Sequence, residues 1–203
     1  MLNSNTISFF YNQFPALFFI IIFGLILTHK SISKTYTIFS IIFILFYSYF
    51  AHIFIHIFPK ELLNFHLLIH HNKNYNKTDN IAKTIFGYLV ELGINISIFA
   101  ILYIIQKIVK IETVPPIILL YFGIIYISNH MINYTIFHIG NHPEHHDHDN
   151  DNDNDLKYPC NYSLDMLDHL FGTNCNSTFE NMNHLIINII ISFVVVTNLK
   201  KYI

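Results

Sequence analysis

The sequence predicts an all-α integral membrane protein, and three observations support this fold class. Hydrophobic residues make up 53% of the 203 residues and charged residues only 12%, a balance typical of membrane proteins. Most apolar residues fall in long runs that suit membrane-spanning helices. Half of the 14 histidines lie between residues 129 and 173, at and beyond the end of the fourth run. We therefore expect a helical bundle of about four transmembrane helices plus a short C-terminal apolar helix, with a histidine-rich cap on one membrane face.

The first two apolar runs, residues 7–27 and 36–58, predict the first two membrane helices. The first run lacks the basic start and the small-residue cleavage site of a signal peptide, so we expect it to be retained. The second run is about long enough to cross a ~30 Å hydrocarbon core. Pro59 follows it and should end or bend the helix, because proline has no backbone N–H.

The third and fourth runs, residues 85–105 and 115–137, predict a membrane hairpin. The third carries Glu91, and a carboxylate in such a segment indicates a functional residue. The alternative is that Glu91 lies near the membrane boundary or faces a polar neighbour. The last run, residues 185–199, is short for a span, so a tilted, re-entrant or interfacial helix is equally consistent with it.

This order of runs places separate histidines on one side of the membrane. His52 and His56 lie near the end of the second run, and the hairpin that follows crosses the membrane and returns. His130, near the end of the fourth run, should then face the same side as His52 and His56. We expect three segments, namely an N-terminal membrane helix with its link, a central histidine-bearing domain and a C-terminal apolar helix, over residues 1–35, 36–184 and 185–203.

Charge and cysteine content add two expectations. The formal net charge of −2 gives no reason to expect a nucleic-acid partner. The two cysteines, Cys160 and Cys175, form no CxxC pair. We expect reduced thiols, with a disulfide as the alternative.

The histidines fall in three spaced groups. The first is H-x3-H at His52 and His56, and this spacing puts both rings on one helix face. The second is H-x3-HH and the third is H-x2-HH. Neutral imidazole suits iron, copper, zinc and nickel, so a metal site is the economical explanation of this density. The second and third groups consist of His66, His70, His71, His142, His145 and His146.

With the closing segment NYSLDMLDHLFGT at residues 161–173, the chain resembles the fatty acid hydroxylase/sterol desaturase superfamily of membrane di-iron enzymes. The resemblance runs from about Tyr36 to Thr173 and makes residues 36–184 the di-iron domain. It implies two iron ions, O2 as co-substrate and a lipid substrate of the fatty-acyl or sterol type. The implied metal ligands are His52, His56, His66, His70, His71, His130, His142, His145 and His146, with His138 and His148 as possible further ligands.

The resemblance also implies residues that support the ligands. Asp168 matches the acidic residue of the terminal signature, and such carboxylates commonly accept the free N–H of a ligating imidazole. Asp165, Asn129 and His169 are the further candidates for this supporting role. Gly172 is expected to meet a backbone requirement at a turn.

The implied function is a lipid hydroxylase or desaturase in an endoplasmic reticulum-type membrane, with the histidine boxes facing the cytosol. No cytochrome b5-like HPGG segment occurs in the chain, so we expect an external electron donor such as cytochrome b5 or a ferredoxin. One alternative is a histidine-rich membrane metal transporter. The other is a catalytically inactive member of the same superfamily.

Overall fold

The computed structural model describes residues 4–62, 64–70, 79–140, 161–162 and 164–202. Within these ranges the chain is all-α and contains no strand, which confirms the predicted helical class. The α-helices of these ranges are α1 (Ser4–Asn12), α2 (Phe14–Thr28), α3 (Lys34–Ile57), α4 (Ile81–Val109), α5 (Pro116–Ser128), α6 (Asp165–Phe171) and α7 (Leu185–Leu199). Two further segments, His66–His70 and Asn129–Ile136, are wound as π-helices.

Four helical segments of the described residues are long and apolar enough to cross a membrane, which suggests a membrane protein. They are 34–57, 81–109, 116–136 and 182–202. The last differs from our expectation of a short helix, because turns at Met182–His184 and Lys200–Tyr202 extend α7 at both ends. Pro59 acts as predicted, since α3 ends at Ile57, and α5 begins at Pro116.

The first apolar run, predicted as a retained membrane helix, is bent, and its two parts together pass as one broken span or a re-entrant loop. Its two parts, α1 and α2, meet at an angle of 50°. The break lies at Gln13, which is 2% exposed. Its side-chain Nε2 donates to the Glu180 carbonyl oxygen at 2.7 Å and to Asp165 Oδ2 at 3.3 Å. The bend therefore ties the N-terminal helices to the segments around α6 and α7.

The core lies where α2, α3, α5 and α7 meet. Ile20, Ile44, Ile118 and Ile189 contribute one side chain from each of these helices and are at most 1% exposed. Burying each such side chain stabilises the fold by about 1.5–3 kcal/mol. Gly24 leaves room for the Ile41 side chain of α3, because an added Cβ would lie 2.6 Å from Ile41 Cδ1.

The outer faces of α3 and α4 carry large apolar side chains. Phe54 is 62% exposed and Ile108 is 73% exposed, and both belong to candidate spans. A water-soluble protein rarely presents so much contiguous apolar surface, whereas a bilayer solvates it.

Cys175 is disulfide-bonded, which corrects the expectation of two reduced thiols. The only other cysteine of the chain, Cys160, lies outside the described residues.

Candidate metal centre

Three histidines form a buried cluster at the end of α3. His52 and His66 are 2% and 4% exposed, and His56 is half-buried. One ring nitrogen of each lies within 4.8 Å of the ring nitrogens of the other two. The ring centroids of His56 and His66 are 4.7 Å apart, and those of His52 and His66 are 5.2 Å apart. Within the described ranges this is the one group of three or more such donors close enough to share a metal ion.

Local structure explains how the three rings meet. His52 and His56 are four residues apart on α3, so the helical repeat places their rings one above the other, with centroids 5.1 Å apart. His66 comes from beyond the turn at Pro59 and begins the π-helical segment His66–His70. Single π-helical turns are frequent at functional sites.

Asn64 holds this turn in place. It is 5% exposed, and its Nδ2 donates to the carbonyl oxygens of Ile55 and Phe58 at 2.6 and 2.7 Å. Its Oδ1 accepts the backbone N–H of Leu67 at 3.3 Å. The same side chain therefore satisfies the open end of α3 and starts the segment that carries His66.

The spacing of two ring nitrogens suits a metal ion. The Nε2 atoms of His56 and His66 are 3.0 Å apart. Two imidazole nitrogens bound to one ion at about 2.0–2.1 Å are about 2.9 Å apart at a right angle and about 3.4 Å apart at the tetrahedral angle. Without metal, the same distance suits an N–H···N hydrogen bond between the two rings.

Aromatic side chains from distant parts of the chain enclose the cluster. The Tyr126 hydroxyl lies 3.4 Å from His52 Nδ1. A proton on Nδ1 shared with this oxygen leaves the lone pair of His52 on Nε2. The ring of Tyr162 packs against His52 and His56 with centroid distances of 5.9 and 5.4 Å.

His130 lies beside the cluster, at the start of the π-helical segment Asn129–Ile136. Its ring centroid is 5.7 Å from that of His52, and the residue is 4% exposed. Its Nε2 lies 3.3 Å from Oε1 of Glu91, which is 1% exposed. Glu91 therefore faces polar partners inside the bundle.

The terminal signature folds into a capped turn next to the cluster. Asp168 Oδ1 accepts the backbone N–H of Tyr162 at 2.9 Å and the Thr173 hydroxyl at 2.7 Å. The backbone of Asn161 donates to the Thr173 carbonyl oxygen at 2.9 Å, which closes the turn. Gly172 has a φ of +71° at the end of α6, the left-handed conformation that glycine tolerates best, as expected for a turn.

Asp165 and His169 form a separate polar group on α6. His169 Nε2 lies 3.5 Å from Asp165 Oδ2, which also accepts the backbone N–H of Glu180 at 2.8 Å. The ring of His169 packs on Phe179 at 4.2 Å. Burial raises the pKa of Asp165, while the Glu180 N–H and His169 act in the opposite direction. These contacts join α6 to the segment before α7 and involve no member of the three-histidine cluster.

The other predicted site residues divide into two groups. Asn129 is buried and its Oδ1 accepts the Asn133 amide at 2.8 Å, whereas His138 is exposed with a φ of +51°. The side chain of His70 lies outside the described part of the chain, although its backbone is described. The other predicted ligands lie wholly outside it; they are His71, His142, His145, His146 and His148.

Four residues around the cluster had a weak signal or none in the sequence. Glu91 was marked only by its apolar surroundings, and Asn64 resembles any asparagine in an asparagine-rich chain. Tyr162 lies inside the terminal signature, but its ring gave no separate signal. Tyr126 is one apolar residue among many in its run. Their roles depend on which helices pack together, and local spacing carries no information about that.

Two cavities lie near the candidate metal centre. A small one of about 20 Å³ is lined by Phe122, Tyr126, His130 and Tyr162, among others, and has room for about one water molecule. A larger groove of about 230 Å³ runs between α3 and α4 and reaches His66. Its walls are mostly apolar, with Phe54, Phe58, Phe65 and Ile94 among the lining residues.

Fold and site together define a class of protein: an all-α chain with helices suited to a membrane and a buried three-histidine group that could hold a metal ion. Comparisons of the chain with protein-family models, with curated proteins and with solved structures give no match.

Proposed function

We propose that this protein is a membrane-bound, O2-dependent di-iron enzyme that hydroxylates or desaturates a lipid, as its resemblance to the fatty acid hydroxylase/sterol desaturase superfamily implies. The observation that carries the proposal is the buried cluster of His52, His56 and His66, whose ring nitrogens lie within 4.8 Å of one another. Three imidazoles brought together from two segments of the chain make a donor set that suits iron.

The residues fit a metal ion on chemical grounds. Neutral imidazoles bind metal through one nitrogen, and the 3.0 Å between the Nε2 atoms of His56 and His66 leaves these two nitrogens placed for one ion. His130 adjoins the cluster and would contribute to the second ion, together with histidines of the second and third histidine groups. When bound, a di-iron centre supplies the power to oxidise an unactivated C–H bond with O2.

The chain's own task is to orient the ligands and to bring an apolar chain to them. Asn64 holds the turn that carries His66, and the Tyr126 hydroxyl lies at His52. The apolar groove that reaches His66 lies between two candidate spans, so it offers a lipid a path from the bilayer. Electrons would come from an external donor, cytochrome b5 or a ferredoxin, in an endoplasmic reticulum-type membrane with the boxes facing the cytosol.

The position of the cluster favours this function over metal transport. His52 lies about 27 Å along α3 from its start at Lys34, given a rise of about 1.5 Å per residue. The cluster therefore sits at the end of a span, whereas transporters place their ligands near the bilayer midplane.

Metal content and lipid profiles test the proposal. The full chain, purified without chelator, is expected to carry about two irons, the number that defines this class of enzyme. Cells that express it should accumulate a hydroxylated or desaturated lipid, and His66→Ala should abolish that product. The exposed His29→Ala variant is the matched control. A stoichiometric single zinc, or an unchanged lipid profile in cells that supply both types of electron donor, would overturn the proposal.

A further inference from the structure

Glu91 is a carboxylate buried inside an apolar membrane helix. It is 1% exposed and lies on α4, a candidate span. Leaving a carboxylate in such a place is costly unless it is paired and hydrogen-bonded. Its Oε1 lies 3.3 Å from His130 Nε2 and 2.6 Å from the Thr135 hydroxyl oxygen. The chain therefore keeps this costly group beside His130 and Thr135.

The imidazole ring of His130 also packs against two tyrosines. The His130 ring stacks on Tyr126 at 5.7 Å with an interplanar angle of 18°, and Tyr134 packs against it edge-on at 5.9 Å. The Thr135 hydroxyl oxygen lies 2.9 Å from the His130 carbonyl oxygen, so Thr135 links the backbone of this π-helical segment to Glu91. The tyrosines fix the plane of the ring, and Glu91 meets one specific nitrogen of it.

A neutral imidazole carries its proton on one nitrogen and a lone pair on the other. A carboxylate beside Nε2 favours the form with the proton on Nε2, which leaves the lone pair on Nδ1. We propose that Glu91 is a positioning residue that accepts the Nε2–H of His130 and commits Nδ1 of His130 to the metal. This inference rests on the proposed function, since it takes His130 as a metal ligand.

The assignment distinguishes His130 from the three-histidine cluster. His56 and His66 face each other through their Nε2 atoms, so these nitrogens are the ones placed for metal there. At His130 the Nε2 atom instead lies 3.3 Å from Oε1 of Glu91. A carboxylate that selects the nitrogen also keeps the imidazole basic, so its loss should weaken metal binding.

Cobalt binding tests the proposal. The full chain in detergent is freed of metal and titrated with Co²⁺, whose visible spectrum reports both affinity and ligand type. Glu91→Ala should weaken the binding of the second equivalent by about 10–100-fold and shift its visible band. Glu91→Gln keeps an oxygen that can accept the Nε2–H, so it should recover part of the affinity. The matched control is Asn95→Ala, which removes another buried polar side chain of α4. The Asn95 Nδ2 donates to the backbone carbonyl oxygen of Glu91 and not to its carboxylate.

A double-mutant cycle with His130→Ala makes the test specific. If Glu91 acts through His130, adding Glu91→Ala to His130→Ala should cause no further loss of Co²⁺ affinity. Wild-type affinity in Glu91→Ala, equal losses in Glu91→Ala and Asn95→Ala, or additive losses in the double variant would each overturn the inference while leaving a metal enzyme possible. A wild-type chain that binds no Co²⁺ would overturn both this inference and the proposed metal centre.

Discussion

The Nε2 atoms of His56 and His66 lie 3.0 Å apart although a proline-containing turn separates the two residues along the chain. His56 lies one residue before the end of α3, and His66 begins the π-helical segment after the turn. Asn64 makes the approach possible by satisfying the last carbonyl groups of α3. A short connection thus brings a third imidazole to a helix that already carries two.

Acid should remove metal from this centre. A protonated imidazole has no lone pair, so protons compete with metal for His52, His56 and His66. Lowering the pH from about 7.5 to about 5, across the ordinary range of histidine titration, should release most of the bound iron. The measurement is metal content after gel filtration at each pH, with circular dichroism to show that the helices persist. Full retention of iron at the acid end would count against imidazole ligation.

Asn64→Ala should loosen the turn that carries His66. The substitution removes the donor to the half-buried carbonyl oxygens of Ile55 and Phe58, at a cost of about 0.5–1.5 kcal/mol for each hydrogen bond lost. Metal occupancy should fall together with the melting temperature. Asn181→Ala is the matched control, because Asn181 caps the turn before α7 at an exposed position. Equal behaviour of the two variants would show that Asn64 has no special role.

Asp168→Ala should destabilise the terminal signature. It removes the acceptor of the buried Tyr162 N–H and of the Thr173 hydroxyl, which should cost about 1–3 kcal/mol for each group left unsatisfied. Asp168→Asn keeps an oxygen at this position, so the loss of stability should be smaller. Chemical denaturation in detergent measures both. If Asp168 also orients a ligating imidazole, Asp168→Asn will lose metal affinity without losing much stability.

The pH dependence of stability should reveal Asp165. Burial raises the pKa of Asp165 above its unfolded value, so the folded chain binds this proton more tightly. Stability should therefore fall as the pH rises from the unfolded value, about 3.9, through the raised folded pKa, and then level off. Asp165→Asn removes this fall, so its melting temperature relative to wild type should rise across the same window. Metal-free protein is used for the measurement, and the exposed Asp79→Asn variant controls for the loss of one charge.

Ser97→Trp should block the groove that reaches His66. Ser97 lines the groove on α4, whereas its neighbour Ile96 is 48% exposed and does not line it. A large ring at Ser97 should lower lipid product by about tenfold or more by displacing the substrate chain. Iron content should stay at the wild-type level, which separates access from metal binding. Ile96→Trp should keep full product formation, and equal losses in both variants would mean that the groove is not the path.

Helix content was predictable because it depends on local properties of the chain. Long apolar runs favour membrane helices however the helices pack together, and prolines mark the helix ends, as at Pro59 and Pro116. The pairing of His52 with His56 follows from the helical repeat alone. The break at Gln13 has a local signal in Pro15, near the start of α2, because proline cannot continue a preceding helix. The partners of Gln13 were not predictable, since Asp165 and Glu180 lie more than a hundred residues away along the chain.

The sequence by itself determined the helical class, the apolar spans and which histidines share a helix face. Only the tertiary structure decided that His66 meets His56, that Glu91 meets His130 and that Tyr162 covers His52. These contacts join residues from different elements, and packing between whole helices and the closure of turns selects them. A local pattern of residue types constrains the conformation of one segment, whereas the position of one segment against another depends on the fit of all their side chains together.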